Sequence, residues 1–185
     1  MKIGIYGGSF NPVHFGHIGL ATWLLQHTDL QEVWMMVSPN NPLKDATVLA
    51  DEHERLAHVR EAAARAEAER TFPVGKRLRV SDLEFGLSRP NYTVDTLRAL
   101  RRLYPEDEFV LLMGEDNWRM IERWREWEYI LQHFRVMVYP RHGAANTASS
   151  VADSRDARWL GVTLVSDAPY FDISSTELRN RFQNS

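Results

Sequence analysis

The sequence predicts a doubly wound α/β fold: one parallel sheet with helices on both faces, in a single domain spanning residues 1–185. Three observations predict it. Short apolar runs alternate with segments of helical period along the whole chain. Each run is nearly continuous in apolar residues, as expected of strands buried on both faces. The apolar share of 44% and the charged share of 25% over 185 residues are ordinary for one globular domain.

The elements follow in order. Ile3 to Tyr6 is a first strand, stopped by Gly7-Gly8. Phe15 to His27 turns helical, with Ile18, Ala21, Leu24 and Leu25 on one face. Glu32 to Val37 is a second strand, and the two prolines in Ser38 to Lys44 make that stretch a loop. Asp51 to Glu69 is rich in alanine and charge, a strong helix former. Leu78 to Val80 is a third strand, and Ser81 to Asn91, with Gly86 and Pro90, a loop. Tyr92 to Leu103 is helical, with Val94, Leu97 and Leu100 on one face and Arg98, Arg101 and Arg102 on a solvated one. Phe109 to Met113 is the fourth strand, and two short helices fit Asp116 to Leu131. Phe134 to Tyr139 and Val162 to Val165 are the last strands, separated by the polar stretch Arg141 to Asp156, the least ordered by composition. Ser174 to Phe182 is the last helix.

Composition narrows the function classes. Lys and Arg number 22 against 25 Asp and Glu, a net charge of −3. That is unlike a nucleic-acid-coating domain, which is usually basic. With no cysteine, thiolate metal sites, disulfides and a cysteine nucleophile are excluded. No apolar run reaches the roughly 18 residues of a membrane span. The first residues lack the apolar core of a signal peptide, so the chain reads as cytoplasmic.

In doubly wound sheets, ligands bind beyond the carboxyl ends of the strands. The first such loop reads Gly7-Gly8-Ser9-Phe10-Asn11-Pro12-Val13-His14-Phe15-Gly16-His17. Paired glycines let backbone approach a ligand, and the free N–H groups of the following helix attract phosphate. His14 and His17, three apart, face one side of that helix start and can donate to anionic oxygens. Taken alone, such a histidine pair is more often structural. A zinc pair on a helix would be spaced i, i+4 with a glutamate, which this is not. The second cluster is Asp172-Ile173-Ser174-Ser175-Thr176-Glu177-Leu178-Arg179. Ser174 with Glu177 suits a capping box. The hydroxyls and Arg179 also suit phosphate oxygens.

At these motifs the chain resembles the nucleotidylyltransferase superfamily marked by His-x-Gly-His and a late Ile-Ser-Ser-Thr-x-x-Arg, here His14 to His17 and Ile173 to Arg179. Ser88 to Leu97 resembles the Ser-x-x-x-Tyr-Thr-Val-Asp-Thr-Leu segment of bacterial nicotinate-nucleotide adenylyltransferases. Gly114-Glu115-Asp116 with Trp124 resembles their Gly-x-Asp and downstream Trp. The resemblance runs from Ile3 to Arg179 and implies a Rossmann-like fold. It implies an ATP site lined by Gly7, Gly8, Ser9, Phe10, His14 and His17, with Ile173, Ser174, Ser175, Thr176 and Arg179 on the β- and γ-phosphates. It implies a nicotinate mononucleotide site of Lys44, Tyr92, Thr93, Gly114, Asp116 and Trp124. Trp118 and Trp127 are near rivals of Trp124. Many members carry Pro-Pro-His-Lys after the second strand; here Ser38-Pro39-Asn40-Asn41-Pro42-Leu43-Lys44 keeps the cation without the histidine.

The activity so implied is transfer of AMP from ATP to nicotinate mononucleotide in NAD biosynthesis, with release of pyrophosphate. Its machinery would be His14, His17, Lys44 and Arg179, with Mg²⁺ arriving on ATP. The expected partners are these small molecules, with neither nucleic acid nor membrane, and self-association into a homo-oligomer is left open. Phosphopantetheine adenylyltransferase shares both end motifs, but the Tyr92–Leu97 segment and Trp124 argue against it. A cytidylyltransferase, with another base pocket, and a regulatory nucleotide-binding module without turnover are the other readings. Intact His14, His17 and Arg179 argue against the last.

Overall fold

The computed structural model describes residues 1–39, 51–69, 71–140 and 161–169. Six strands are found, one for each expected: β1 (Lys2–Gly8), β2 (Glu32–Val37), β3 (Arg77–Ser81), β4 (Glu108–Gly114), β5 (Arg135–Tyr139) and β6 (Val162–Leu164). They form one sheet in the order β3-β2-β1-β4-β5-β6, with every pair parallel. The chain winds outward from β1 in one direction, then returns to β1's other side with β4. That reversal is the Rossmann topology, and it opens a crevice between β1 and β4.

The helices are α1 (Phe15–His27), α2 (Glu52–Ala68), α3 (Thr93–Leu103), α4 (Glu115–Arg119) and α5 (Trp127–His133). Strand side chains alternate between the two faces, and two cores result. Tyr6, Val33, Met35, Val37, Val110 and Leu112 point to the core shared with Leu24 of α1 and Val59 of α2. Ile3, Ile5, Met36, Leu111, Met113 and Val136 point to the other core, with Leu97 of α3 and Ile130 of α5. The near-continuous apolar strands therefore serve two faces at once.

Helix α2 starts at Asp51, whose carboxylate accepts from the His53 and Glu54 amides at 2.9 and 3.1 Å. Three details differ from the sequence expectation. The Ser81–Asn91 loop contains a 3-10 turn, Leu83–Gly86. The segment after β4 holds α4, a further 3-10 turn (Ile121–Arg123) and α5, rather than two helices alone. Arg98 is not simply solvated: its guanidinium grips both carboxylate oxygens of Glu126 at 3.0 and 2.6 Å and lies over the Tyr129 ring at 4.1 Å. A long aliphatic stem and a planar cation find better use across the α3–α5 seam than in water.

Candidate active site

Parallel register brings the loops after the strands to one edge of the sheet. Tyr6 of β1 lies opposite Leu112 of β4, so Gly8 and Gly114, two residues further on each strand, come level at the mouth of the crevice. Gly8 ends β1, and a Cβ there would stand 3.1 Å from the Phe10 ring. Glycine is what allows the chain to fold back over that ring. Phe10 itself has φ of 44°, a left-handed conformation costly for an aromatic residue. Burial of its ring, edge-on to Tyr6 at 5.6 Å and to His17 at 5.0 Å, offsets the strain.

Beyond this loop, α1 begins. His14 is its N-cap, in extended conformation, and His17 is the third helical residue. Nδ1 of His17 accepts from the His14 amide at 3.2 Å, and the two rings lie with centroids 3.7 Å apart, tilted by 30°. With Nδ1 used as an acceptor, the neutral His17 ring carries its proton on Nε2, which is then a donor. A neutral imidazole donor at a helix N-terminus suits an anion.

One buried guanidinium holds this loop in place. Arg55 of α2, 2% exposed, donates to the carbonyls of Ser9 at 2.5 Å, Ser38 at 2.9 Å and Pro39 at 3.2 Å. Burial pulls its pKa down, while Glu52 and Asp51 act against that, and an arginine so placed keeps its charge. Arg55 thus ties the loop after β1 to the loop after β2. It was not among the residues expected from the sequence. The available signal was its position: four residues before Val59 and eight before Ala63, it sits on the apolar face of α2.

The other side of the crevice is built from α3 and α4. Gly114 is the N-cap of α4, with Asp116 exposed in its first turn. Tyr92 is the N-cap of α3 and Thr93 its first residue. The Arg125 guanidinium covers the Tyr92 ring at 4.8 Å. Trp124 follows the 3-10 turn Ile121–Arg123 and packs half-buried against the second core; its indole N–H is buried with no hydrogen-bond partner among the described residues. Trp118, a rival for its place, is buried in the same core. Glu84, in the turn Leu83–Gly86, is a buried acid at the foot of α3 that the sequence did not single out.

The first loop with His14 and His17, and the starts of α3 and α4 with Tyr92, Thr93, Gly114 and Asp116, therefore all belong to the carboxyl edge of the sheet. Lys44, Ile173, Ser174, Ser175, Thr176 and Arg179 lie outside the described residues. Among the described residues, no group of three or more His, Cys, Asp or Glu side chains could hold a metal ion.

Comparison with known proteins bears on this edge. A family described as cytidylyltransferase-like matches residues 5–181. A relative from Bacteroides fragilis, named "Probable nicotinate-nucleotide adenylyltransferase", is 42% identical over 178 residues, covering 96% of this chain and 80% of the relative. A relative of the same name from Flavobacterium psychrophilum is 40% identical over 184 residues, covering 100% and 88%. Among solved structures, the Plasmodium falciparum nicotinic acid mononucleotide adenylyltransferase complexed with NaAD superposes with a TM-score of 0.74 at 20% identity, covering 97% of this chain and 82% of that one. At that identity the likeness speaks for the fold.

Proposed function

The chain belongs to the cytidylyltransferase-like family and, within it, to the nicotinate-nucleotide adenylyltransferases, and from that premise we propose how its residues divide the work. The reaction transfers the adenylyl group of ATP to nicotinate mononucleotide, a step of NAD biosynthesis in the cytoplasm. The acceptor's phosphate oxygen attacks the α-phosphorus in line; a P–O bond forms, the bond to the β-phosphate oxygen breaks, and pyrophosphate leaves. The attacking oxygen is already ionised at neutral pH, so the protein supplies position and charge stabilisation rather than a base.

Gly7, Gly8, Ser9 and Phe10 form the floor for ATP, and His14 and His17 face its α-phosphate, His17 through Nε2–H. Ile173, Ser174, Ser175, Thr176 and Arg179 take the β- and γ-phosphates, and Lys44 adds a cation between the substrates. On the acceptor side, Tyr92 and Thr93 meet the nicotinate carboxylate, Trp124 stacks on the pyridine ring, and Gly114 and Asp116 take the ribose or phosphate. Mg²⁺ enters with ATP. The first loop offers imidazole and N–H donors, which suit phosphates and not a hard cation; the ion, when bound with ATP, would neutralise phosphate charge. The observation that carries this reading is the imidazole-bearing start of α1, reached from β1 by the loop whose Gly8 comes level with Gly114 across the crevice.

Pyrophosphate release is the test, with ATP and a panel of acceptors. A pocket of backbone N–H donors, to which the Thr93 hydroxyl adds a charge-assisted bond, satisfies a carboxylate and leaves an amide's NH₂ facing an N–H donor. That mismatch costs about 1–3 kcal/mol, so nicotinate mononucleotide should exceed nicotinamide mononucleotide roughly tenfold or more in kcat/KM. Thr93→Val should narrow the gap. Preference for phosphopantetheine would refute the assignment; equal kcat/KM for the two mononucleotides would refute the donor pocket and point to a dual-specificity enzyme.

A further inference from the structure

Glu84 lies in the 3-10 turn just before the stretch that opens α3, and its side chain is drawn inward, the residue being 7% exposed. Oε1 accepts from the Thr96 hydroxyl at 2.8 Å. Its backbone carbonyl accepts from the Asn91 side-chain amide at 2.9 Å. Ser38, just past β2, faces the same carboxyl, and burial raises the acid's pKa against the hydroxyls of Ser38 and Thr96. Oε2 and the Asn91 Oδ1 are buried without hydrogen-bond partners among the described residues. The carboxyl is thus held by hydroxyl donors inside the fold, where Oε1 anchors Thr96. The residues it grips, 91 and 96, bracket Tyr92 and Thr93.

We propose that Glu84 is a positioning residue for the acceptor half of the site: its buried carboxyl and carbonyl fasten both ends of the Asn91–Thr96 segment and so fix where Tyr92 and Thr93 meet the acceptor's ring substituent. The inference rests on the placement of the acceptor at α3 given above. It assigns Glu84 no contact with substrate. Its larger effect falls on the acceptor, because the ATP-side loop has its own anchor in Arg55, which holds the Ser9 and Ser38 carbonyls; Ser38 is the one residue both anchors touch.

Steady-state kinetics on Glu84→Ala, Glu84→Gln and Thr96→Val, each checked for folding by circular dichroism, test it. Glu84→Ala should raise the KM for nicotinate mononucleotide about tenfold while the KM for ATP stays within about twofold. Glu84→Gln, a neutral isostere that accepts and donates, should restore the acceptor KM to within about threefold of the unsubstituted protein. Thr96→Val, which removes one donor and keeps the shape, should show the same split at smaller size and serves if Glu84→Ala does not fold. A parallel rise of both KM values, or no movement of the acceptor KM in folded Thr96→Val and Glu84→Ala proteins, would overturn the positioning role. Glu84→Gln as impaired as Glu84→Ala would overturn the side-chain oxygen as the anchor of Thr96. If the unsubstituted protein releases no pyrophosphate with either pyridine mononucleotide, the acceptor assignment itself fails, a result separable from all of these.

Discussion

The two nitrogens of the His17 ring have separate tasks, and separate substitutions should part them. Asparagine places a polar atom near Nδ1, which caps α1; glutamine reaches toward Nε2, the donor proposed for the phosphate. His17→Asn should therefore keep the folded stability and lower kcat by about 10²–10³-fold, the scale of one lost transition-state donor. His17→Gln should retain more of kcat and lose roughly 0.5–2 kcal/mol of stability with the cap. Urea denaturation alongside steady-state kinetics separates the two; equal behaviour would show that the ring acts as a unit. Arg55→Met carries a different expectation. It strands the carbonyls of Ser9, Ser38 and Pro39 in an apolar setting and should cost roughly 3 kcal/mol or more, read as a fall in urea midpoint. The histidines were legible in the sequence because they follow a Gly-Gly stop and open a helix, a local pattern. Arg55 and Glu84 were not, because their importance comes from what is packed over them. A charged residue in a charge-rich helix reads as solvated until another element covers it.

At the scale of elements, the strands were read to within one or two residues because an apolar run has few other uses. Their ends were less legible: Lys2, Arg77 and Glu108 join the ladder as charged first residues, and Gly7 and Gly8 extend β1 because their backbone still pairs with Met36 and Val37. The turn Leu83–Gly86 was hidden by the glycine and proline signals around it. The α3–α5 seam was hidden too, since Arg98 and Glu126 lie 28 residues apart. Glu126 caps α5 in the left-handed region, φ 50°, with Arg98 holding its carboxyl below the usual carboxylate range. Glycine accepts that backbone without strain and alanine does not. Glu126→Gly should thus melt higher than Glu126→Ala, although both lose the Arg98 pair, as differential scanning calorimetry can show. The reverse order would mean that the left-handed backbone costs nothing here.

For the whole molecule, pH enters mainly through Glu84, whose pKa burial raises despite the Ser38 and Thr96 side chains. Below the ordinary carboxylate range, folded and unfolded chains both hold this proton. As pH rises past that range the unfolded chain releases it first, and stability declines until Glu84 itself ionises. Glu84→Gln should flatten this decline in urea midpoint as pH rises above the ordinary carboxylate range. Asp29, lowered chiefly by its hydrogen bond from Lys2, and Glu52, lowered chiefly by Arg89, act in the opposite sense, but their pairs are exposed and worth little. The Arg55 anchor has a further consequence, for local breathing. The Ser38 amide donates to the Gly8 carbonyl at 2.9 Å at the very end of the β1–β2 ladder, where fraying is ordinarily easy. Because the guanidinium holds the carbonyls on either side, of Ser9 and Ser38, that terminus cannot fray without exposing an arginine's broken partners. In deuterium, the Ser38 amide should therefore exchange as slowly as those at the centre of β2, so that the first loop opens only when the sheet does.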